Sequence, residues 1–143
     1  MTTPDDTAAT WRDLTDRLTA AQVAQLEHLE HNELGALLQM ARQWATENTT
    51  EAALSDDVAP PAGAVRTFSW QLDGDGKWFR DFEGTTRRAG KANVHICGRQ
   101  DAGGSSRRWI AVGCRDLGAL DAAAARELAA ALADASDELG RLG

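Results

Sequence analysis

The chain has little of several things that would assign it to a large class of proteins. It has only two cysteines in 143 residues, too few for the disulfide framework of a small secreted domain. No apolar run approaches the ~20 residues that a helix needs to span a bilayer. The N-terminal stretch Met1–Asp6 is acidic and lacks the basic start of a secretory signal. We therefore expect a cytoplasmic protein that does not associate with a membrane.

What the chain does have is a globular composition with an uneven distribution of charge. Hydrophobic residues make up 43% and charged residues 26%, values typical of a folded domain. Residues 1–65 hold 3 basic and 11 acidic side chains, residues 66–115 hold 10 and 5, and residues 116–143 hold 2 and 6. Either acidic helices neutralise a basic sheet, or the middle segment presents a basic surface to phosphate. The net charge of −7 favours the first interpretation.

Residues 1–54 are predicted to be helical. Apolar residues recur at helical spacing at Trp11, Leu14, Leu18, Leu34, Leu37, Leu38, Ala41 and Trp44. Thr19 and Gln22 have the spacing of a capping box at the start of a helix. We expect two or three short helices packed as hairpins and ending near Leu54. Residues 55–63 are predicted to form a linker, because their two consecutive prolines cannot continue a helix.

Residues 64–143 are predicted to form an antiparallel sheet of two hairpins and a closing helix. Val65–Leu72 alternates like a strand, and a three-residue loop after it would put Trp70 opposite Trp78 and Arg66 opposite Phe82. The polar stretch Gly84–Lys91 is predicted to be irregular. In the second hairpin, formed by Asn93–Arg99 and Arg107–Arg115, Trp109 would lie opposite Gly98 and cover it.

This register gives the second hairpin two different faces. Val94, Ile96, Trp109 and Ala111 share one face, and His95, Cys97, Ile110, Val112 and Cys114 share the other. The second set is too apolar to be freely solvated, so we expect the N-terminal helices or a second subunit to cover it. A homodimer would bury this face about a two-fold axis. An Ala/Leu-rich helix with Asp121 as its N-cap is predicted to pack on the sheet, which makes the fold class α+β.

His95, Cys97 and Cys114 are the strongest candidates for chemistry. Side chains alternate along a strand, so His95 and Cys97 share a face about 7 Å apart, and thiol and imidazole need not meet. Cys114 would face Asn93, which puts the two sulfurs roughly 13 Å apart, too far for a disulfide. A zinc site would lack a fourth ligand. Both cysteines are therefore interpreted as small buried hydrophobic residues.

Two other patterns resemble metal sites but do not match one. His28 and His31 could share a helix face with Glu27, but their spacing is not that of a zinc protease motif. Asp73–Gly76 begins like a calcium loop, but Lys77 and Gly84 stand where that loop needs ligands. The sequence also has no nucleophile elbow, phosphate loop or dinucleotide fingerprint. It predicts no catalytic residue, no metal and no cofactor, and therefore a protein that is not an enzyme.

Two stretches of the sequence carry a resemblance. Val58–Val65, followed by Trp70 and Phe82–Thr85, is similar to the middle of a group of small uncharacterised actinobacterial and actinophage proteins. Their C-terminal end resembles four further stretches, Val94–Asp101, Arg107–Val112, Ala123–Leu132 and Asp137–Leu139. The likeness covers roughly residues 58–140 and implies a domain of unknown function, with no catalytic residue to carry over. Cys97 and Cys114 stand where ordinary strand residues are expected, which supports a structural role for both.

We predict a non-enzymatic regulatory or adaptor module, related to a phage or mobile element, that binds another protein through its acidic helices. The predicted contact residues are Glu27, Glu30, Glu33 and Trp44. The alternative is a nucleic-acid-binding protein that uses Arg87, Arg88, Lys91, Arg107 and Arg108, with nearby tryptophans available for stacking. A helix-turn-helix over Leu18–Leu38 is disfavoured, because its glutamates would face the phosphates.

Overall fold

The chain divides into two compact units, Met1–Asp56 and Asp57–Gly143, which we call the helical unit and the sheet unit. The structure is a computed structural model that describes residues 7–30, 36–114 and 119–143. Each unit has its own cluster of buried residues, so each is described by itself.

The helical unit contains a short 3₁₀ helix and two α-helices. The 3₁₀ helix covers Trp11–Arg17, α1 covers Ala20–Glu30 and α2 covers Leu37–Asp57. Their apolar faces meet in a core of Ala8, Trp11, Leu14, Leu26, Leu37 and Ala41, against which Leu18, Met40 and Trp44 pack. The predicted capping box is confirmed: the Thr19 amide donates to Gln22 Oε1 (2.9 Å) and the Gln22 amide donates to Thr19 Oγ1 (3.2 Å). The predicted stripe residue Leu34 lies outside the described residues.

The sheet unit is an antiparallel sheet with one helix packed on it, which confirms the α+β fold class. The strands are β1 Arg66–Thr67, β2 Gln71–Leu72, β3 Trp78–Ala89, β4 Ala92–Asp101 and β5 Ser106–Cys114, followed by α3 Ala122–Leu142. Strand β3 pairs with β1 and β2 on one side and with β4 on the other, and β5 pairs with β4. Asp121 caps α3 as predicted, because its carboxylate accepts the Ala124 amide (2.8 Å). The alanine-rich face of α3 packs through Ala131 and Ala135 against Ala89, Val94 and Ile96.

The prediction that Gly84–Lys91 is irregular is wrong. Strand β3 continues to Ala89 through a register shift between Glu83 and Thr86, and a two-residue turn that begins at Gly90 (φ 61°) leads into β4. Two polar side chains of this stretch are bound by α3. Thr85 and Arg87 both donate to Glu138 of α3, the latter over 2.7 Å.

The first hairpin has the predicted loop length but a different register. The Asp73 amide donates to the Lys77 carbonyl (2.9 Å), which closes a three-residue loop. Leu72 rather than Trp70 lies opposite Trp78, and Arg66 lies opposite Glu83 rather than Phe82. The predicted continuous strand Val65–Leu72 is split into β1 and β2. Trp70, between them, is buried, whereas Leu72 is 41% exposed.

The second hairpin is displaced by one residue from its predicted register. Trp109 lies opposite Cys97, and Gly98 lies opposite Arg108. A slip of one residue exchanges the faces of a whole strand, so Ile110 faces α3 with Val94 and Ile96, whereas Trp109 faces the other way with Cys97. Gly98 is covered by Phe82 rather than by Trp109, since a Cβ added at Gly98 would overlap the Phe82 ring.

Residues 55–63, which were predicted to form a linker, are helical at their start and bound to the sheet beyond it. Residues 55–57 belong to α2, because the first proline of the segment stands only at position 60. Beyond them, Arg80 donates to the Val58 carbonyl (3.0 Å), Gln100 to the Ala59 carbonyl (2.9 Å) and Arg108 to the Ala62 carbonyl (2.9 Å). Residues 58–62 are therefore fastened to the sheet by side chains of three strands.

Candidate functional site

The two faces of the sheet differ in what covers them. Helix α3 packs on the face that carries Val94, Ile96 and Ile110, and it is the one helix that lies wholly within the described part of the sheet unit. We call the opposite face the second face. Alternation along the paired strands places on it Phe79, Asp81, Glu83, His95, Cys97, Arg99, Arg107, Trp109 and Ala111.

Trp109 is the largest exposed apolar side chain of the second face. It is 43% exposed and stands on β5 directly opposite Cys97, which is half-buried. Tryptophan has a large apolar surface and is over-represented among residues that dominate binding energy at protein interfaces. An exposed tryptophan among small neighbours is therefore the clearest feature of this face that a partner could bind.

Two charged residues of the second face, Arg99 and Asp81, are paired with each other. Arg99 donates to both carboxylate oxygens of Asp81 (2.7 and 3.2 Å), and its guanidinium lies 3.9 Å from the centre of the Phe79 ring. Arg107 lies directly opposite Arg99, is exposed, and makes no ion pair with a described residue. Arg107 is thus a cation of this face that is available to a partner.

A cleft of about 280 Å³ lies where the two hairpin loops approach each other. Its walls include Asp73, Lys77, Phe79, Arg99 and Arg107. The Asp73 carboxylate accepts the amides of Asp75 (2.8 Å) and Lys77 (2.9 Å), and chiefly the Lys77 hydrogen bond lowers the pKa of Asp73. Because this carboxylate is used to build the loop, the Asp73–Gly76 pattern is explained as a turn.

The five residues of the predicted nucleic-acid interface do not form one cluster. Arg87 is bound to Glu138, and Arg108 donates to Ala62. Arg88 and Lys91 are exposed near the β3–β4 turn, and Arg107 is exposed at the other end of the sheet. Arg88 lies opposite Asn93 of β4, and Arg107 lies opposite Arg99 of the same strand. Asn93 and Arg99 are six positions apart, which corresponds to about 20 Å along the strand.

The predicted protein-binding residues also have different environments. Glu27 is exposed on α1. Glu30 is bound to Arg12 by two hydrogen bonds (2.8 and 2.7 Å). Trp44 is half-buried and packs against the core of the helical unit, as expected of a structural residue. Glu33 lies outside the described residues, as does His31.

The cysteines and His95 do not form a nucleophilic pair in this structure. Neither Cys97 nor Cys114 forms a disulfide, and they lie on opposite faces of the sheet because β4 and β5 pair Cys97 with Trp109 and Ala92 with Cys114. Burial, together with the nearby carboxylates of Glu83 and Asp81, raises the pKa of the Cys97 thiol. A catalytic cysteine needs the opposite shift. Among the residues that the structure describes, no group of three or more His, Cys, Asp or Glu side chains could hold a metal ion.

Two polar clusters were not predicted from the sequence. Arg80 and Gln100 are 5% and 2% exposed and lie opposite each other on β3 and β4, where Arg80 Nε donates to Gln100 Oε1 (2.8 Å). Glu138, on the otherwise apolar side of α3, binds Thr85 and Arg87. The sequence does contain a signal for both clusters. In each strand or helix pattern a polar residue stands at a position that faces the core, and a polar residue at such a position is usually hydrogen-bonded.

Comparisons with known proteins add no relative. No family model matches the chain, and neither a curated protein nor a solved structure matches it. No helix in the described parts of the chain is long and apolar enough to cross a bilayer.

Proposed function

We propose that this chain is a non-enzymatic adaptor or regulatory protein of the cytoplasm, and that it binds a protein partner through the second face of its sheet, centred on Trp109. The observation that carries the proposal is the 43% exposure of Trp109 on a face that α3 leaves uncovered. The raised pKa of the Cys97 thiol supports a binding role, since the most reactive type of side chain on this face is kept protonated. A relation to phage or mobile-element proteins, implied by the sequence resemblance, is part of the proposal.

The partner surface should combine an apolar pocket for Trp109 with a carboxylate for Arg107. Interfaces of this kind place an aromatic anchor at the centre and charged residues at the rim. The helical unit has candidate contacts of its own, the exposed Glu27 of α1 and Glu30, which binds Arg12.

The test is an affinity capture from host lysate, with and without nuclease, using the full chain and three variants. Trp109→Ala should reduce recovery of a nuclease-resistant, stoichiometric partner at least tenfold, as expected for an interface hot spot. Val65→Ala is the matched control, because Val65 is an apolar residue of the same unit that is 73% exposed; it should leave recovery unchanged. Glu27→Lys tests the acidic helices. Recovery that Trp109→Ala does not alter would contradict the proposed surface.

Nucleic-acid binding is the second candidate, supported by the exposure of Arg88, Lys91 and Arg107. Fluorescence anisotropy with single- and double-stranded oligonucleotides at ~50 mM salt tests it, since phosphate contacts make affinity fall steeply with salt. Arg88→Ala should weaken such binding. Arg87→Ala should act mainly through folding, because Arg87 is bound to Glu138. The absence of binding at low salt would exclude this function.

A further inference from the structure

Strand β5 has an unoccupied edge. It pairs with β4 on one side, and no other described strand pairs with it. Its nine residues include no proline, and they carry two of the exposed large apolar side chains of the chain, Trp109 (43%) and Val112 (48%). Proteins usually protect an edge with proline, charged side chains, a bulge, a covering element or a very short strand, because an unprotected edge is a template for another strand. The charged side chains of β5 are Arg107 and Arg108, both near its N-terminal end.

The hairpin geometry determines which backbone groups of β5 point outward. The Asp101 amide donates to the Ser105 carbonyl (2.9 Å) at the closing pair. Hydrogen-bonded pairs recur every second residue along an antiparallel ladder, so the backbone of Arg107, Trp109, Ala111 and Gly113 is directed to β4. The amides and carbonyls of Arg108, Ile110 and Val112 are directed away from the sheet.

We propose that β5 pairs antiparallel with β5 of a second copy of this chain, about a two-fold axis at Ile110. In this register all nine residues find a partner, from Ser106 opposite the partner's Cys114 to Cys114 opposite the partner's Ser106. The Val112 amide would donate to the partner's Arg108 carbonyl, and the reverse. The two sheets would become one continuous sheet. This inference does not depend on the proposed function.

The side chains of β5 are complementary to themselves in this register. On the second face, Arg107 would lie opposite the partner's Gly113, and Trp109 opposite the partner's Ala111, so that each large residue meets a small one. On the α3 face, Ile110 would meet its own copy. No arginine would lie opposite an arginine, an arrangement that destabilises cross-strand pairs.

Two other symmetric registers are less favourable. An axis at Arg108 would place the two Arg108 side chains opposite each other. An axis at Trp109 would place the two Trp109 side chains opposite each other and would leave Gly113 and Cys114 without a partner residue. On the second face, the axis at Arg108 would also place Arg107 opposite the partner's Trp109, so that two large residues meet.

The first test removes one outward amide from the edge. Val112→Pro deletes an N–H that does not belong to the β4 ladder, and proline is tolerated at such edge positions. Val112→Thr is the matched control, because it keeps both the amide and the branched side chain. Sedimentation equilibrium should find a dimer for the wild type and for Val112→Thr, and a dimer dissociation constant at least ~20-fold higher for Val112→Pro, since symmetry removes two hydrogen bonds. Hydrogen exchange of the wild type should show slow amides at Arg108, Ile110 and Val112.

The second test is specific to the register and does not require proline. Gly113 has room for a side chain, since the nearest heavy atom to an added Cβ is His95 Cε1 at 3.8 Å. Opposite the partner's Arg107, Gly113→Glu should lower the dissociation constant about 2- to 30-fold, and Gly113→Lys should raise it by a similar factor. The double variant Arg107→Glu with Gly113→Lys should restore dimerisation, and high salt should remove these differences.

Three outcomes would overturn the inference. One is a wild-type chain that remains monomeric at its highest soluble concentration. Another is a dimer in which the Arg108, Ile110 and Val112 amides exchange as fast as in the monomer, since the copies would then meet elsewhere. The third is an equal effect of Gly113→Glu and Gly113→Lys on the dissociation constant. If the chain stayed monomeric and β5 bound an acidic extended peptide instead, the edge would belong to a different partner. That result would also overturn the inference.

Discussion

The two units of the chain differ in how they use charge. The helical unit has ten acidic and three basic residues, whereas the sheet unit has twelve of each. All of the net charge of −7 therefore belongs to the helical unit. Surface charge of one sign favours solubility and influences association rates, but it does not determine a fold. The negative net charge of this protein is thus a property of the helical unit, and it bears on which partners that unit could bind.

The cores of the two units show the same contrast. The buried residues described in the helical unit are all apolar, among them Trp11, Leu14 and Leu26. The sheet unit buries Arg80 and Gln100, and both donate to backbone carbonyls of the 58–62 segment. Burial lowers the pKa of Arg80. Several basic residues of the sheet unit therefore hold the chain in place, and the five cations predicted for a nucleic-acid interface do not form one cluster.

The largest predicted effect tests the core of the helical unit. Leu26 is fully buried, and Leu26→Ala should lower the free energy of unfolding by about 2–5 kcal/mol, because it removes packed methyl groups and leaves a cavity. Hydrogen exchange is the measurement, since it reports on the two units separately: α1 and α2 should lose protection, and β4 is the internal reference. The control is Leu120→Ala, the same substitution at a residue that is 52% exposed, which should change stability by less than ~0.5 kcal/mol. Equal loss in β4 would contradict the division into two units.

The corresponding change in the sheet unit adds volume rather than removing it. A Cβ at Gly98 would overlap the Phe82 ring and lie 2.5 Å from the Arg107 carbonyl oxygen. Gly98→Ala should therefore destabilise the sheet unit by about 1–3 kcal/mol, measured by urea denaturation followed by circular dichroism. Gly74→Ala is the matched control, since an added Cβ there meets nothing within 4 Å. If both variants were equally stable, the close packing of Phe82 on Gly98 would be refuted.

The sequence was sufficient for the order and type of the main elements. Four features were predicted from local signals and are confirmed: the capping box at Thr19, the N-cap at Asp121, the three-residue length of the first hairpin loop, and the packing of the alanine-rich helix on the sheet. Each depends on neighbouring residues in the sequence or on a simple periodicity. For such features local preference and tertiary structure agree.

The sequence was not sufficient for strand register, and the predicted faces of β5 were wrong for that reason. The prediction of which residues share a face assumed that Trp109 covers Gly98. In the structure Phe82 covers Gly98, and Phe82 stands on β3 rather than on β5. Thr85 and Arg87 were predicted to be irregular because their partner, Glu138, lies more than fifty positions away in the sequence. A single sequence does not contain the pairings that satisfy these groups. The partner-binding and nucleic-acid-binding residues remain predictions.

The smallest predicted effects concern one ion pair from each unit, Arg87–Glu138 in the sheet unit and Arg12–Glu30 in the helical unit. The first pair is tested by changing the pH. Glu138 accepts hydrogen bonds from Thr85 and Arg87, and chiefly the Thr85 bond, followed by that of Arg87, lowers the pKa of Glu138 below its ordinary value of 4.5. A carboxyl group with a lowered pKa in the folded state stabilises the fold above its unfolded pKa, and this contribution is lost as the pH falls through the folded pKa. Glu138→Gln should therefore cost about 1 kcal/mol at pH 7, and the difference from wild type should shrink below pH ~4.5. Thermal unfolding from pH 7 to pH 3 measures it, with Glu127→Gln, an exposed position on the same helix, as the control.

The comparison is completed by Glu30→Gln in the helical unit. The Arg12 side chain is 57% exposed and that of Glu30 33%, against 26% and 15% for Arg87 and Glu138. Water screens an exposed pair more strongly than a half-buried one, so Glu30→Gln should have the smaller effect and the greater sensitivity to salt. If the two substitutions had equal effects at high salt, burial would not be what distinguishes the two pairs. The charges of the sheet unit would then be no more structural than those of the helical unit.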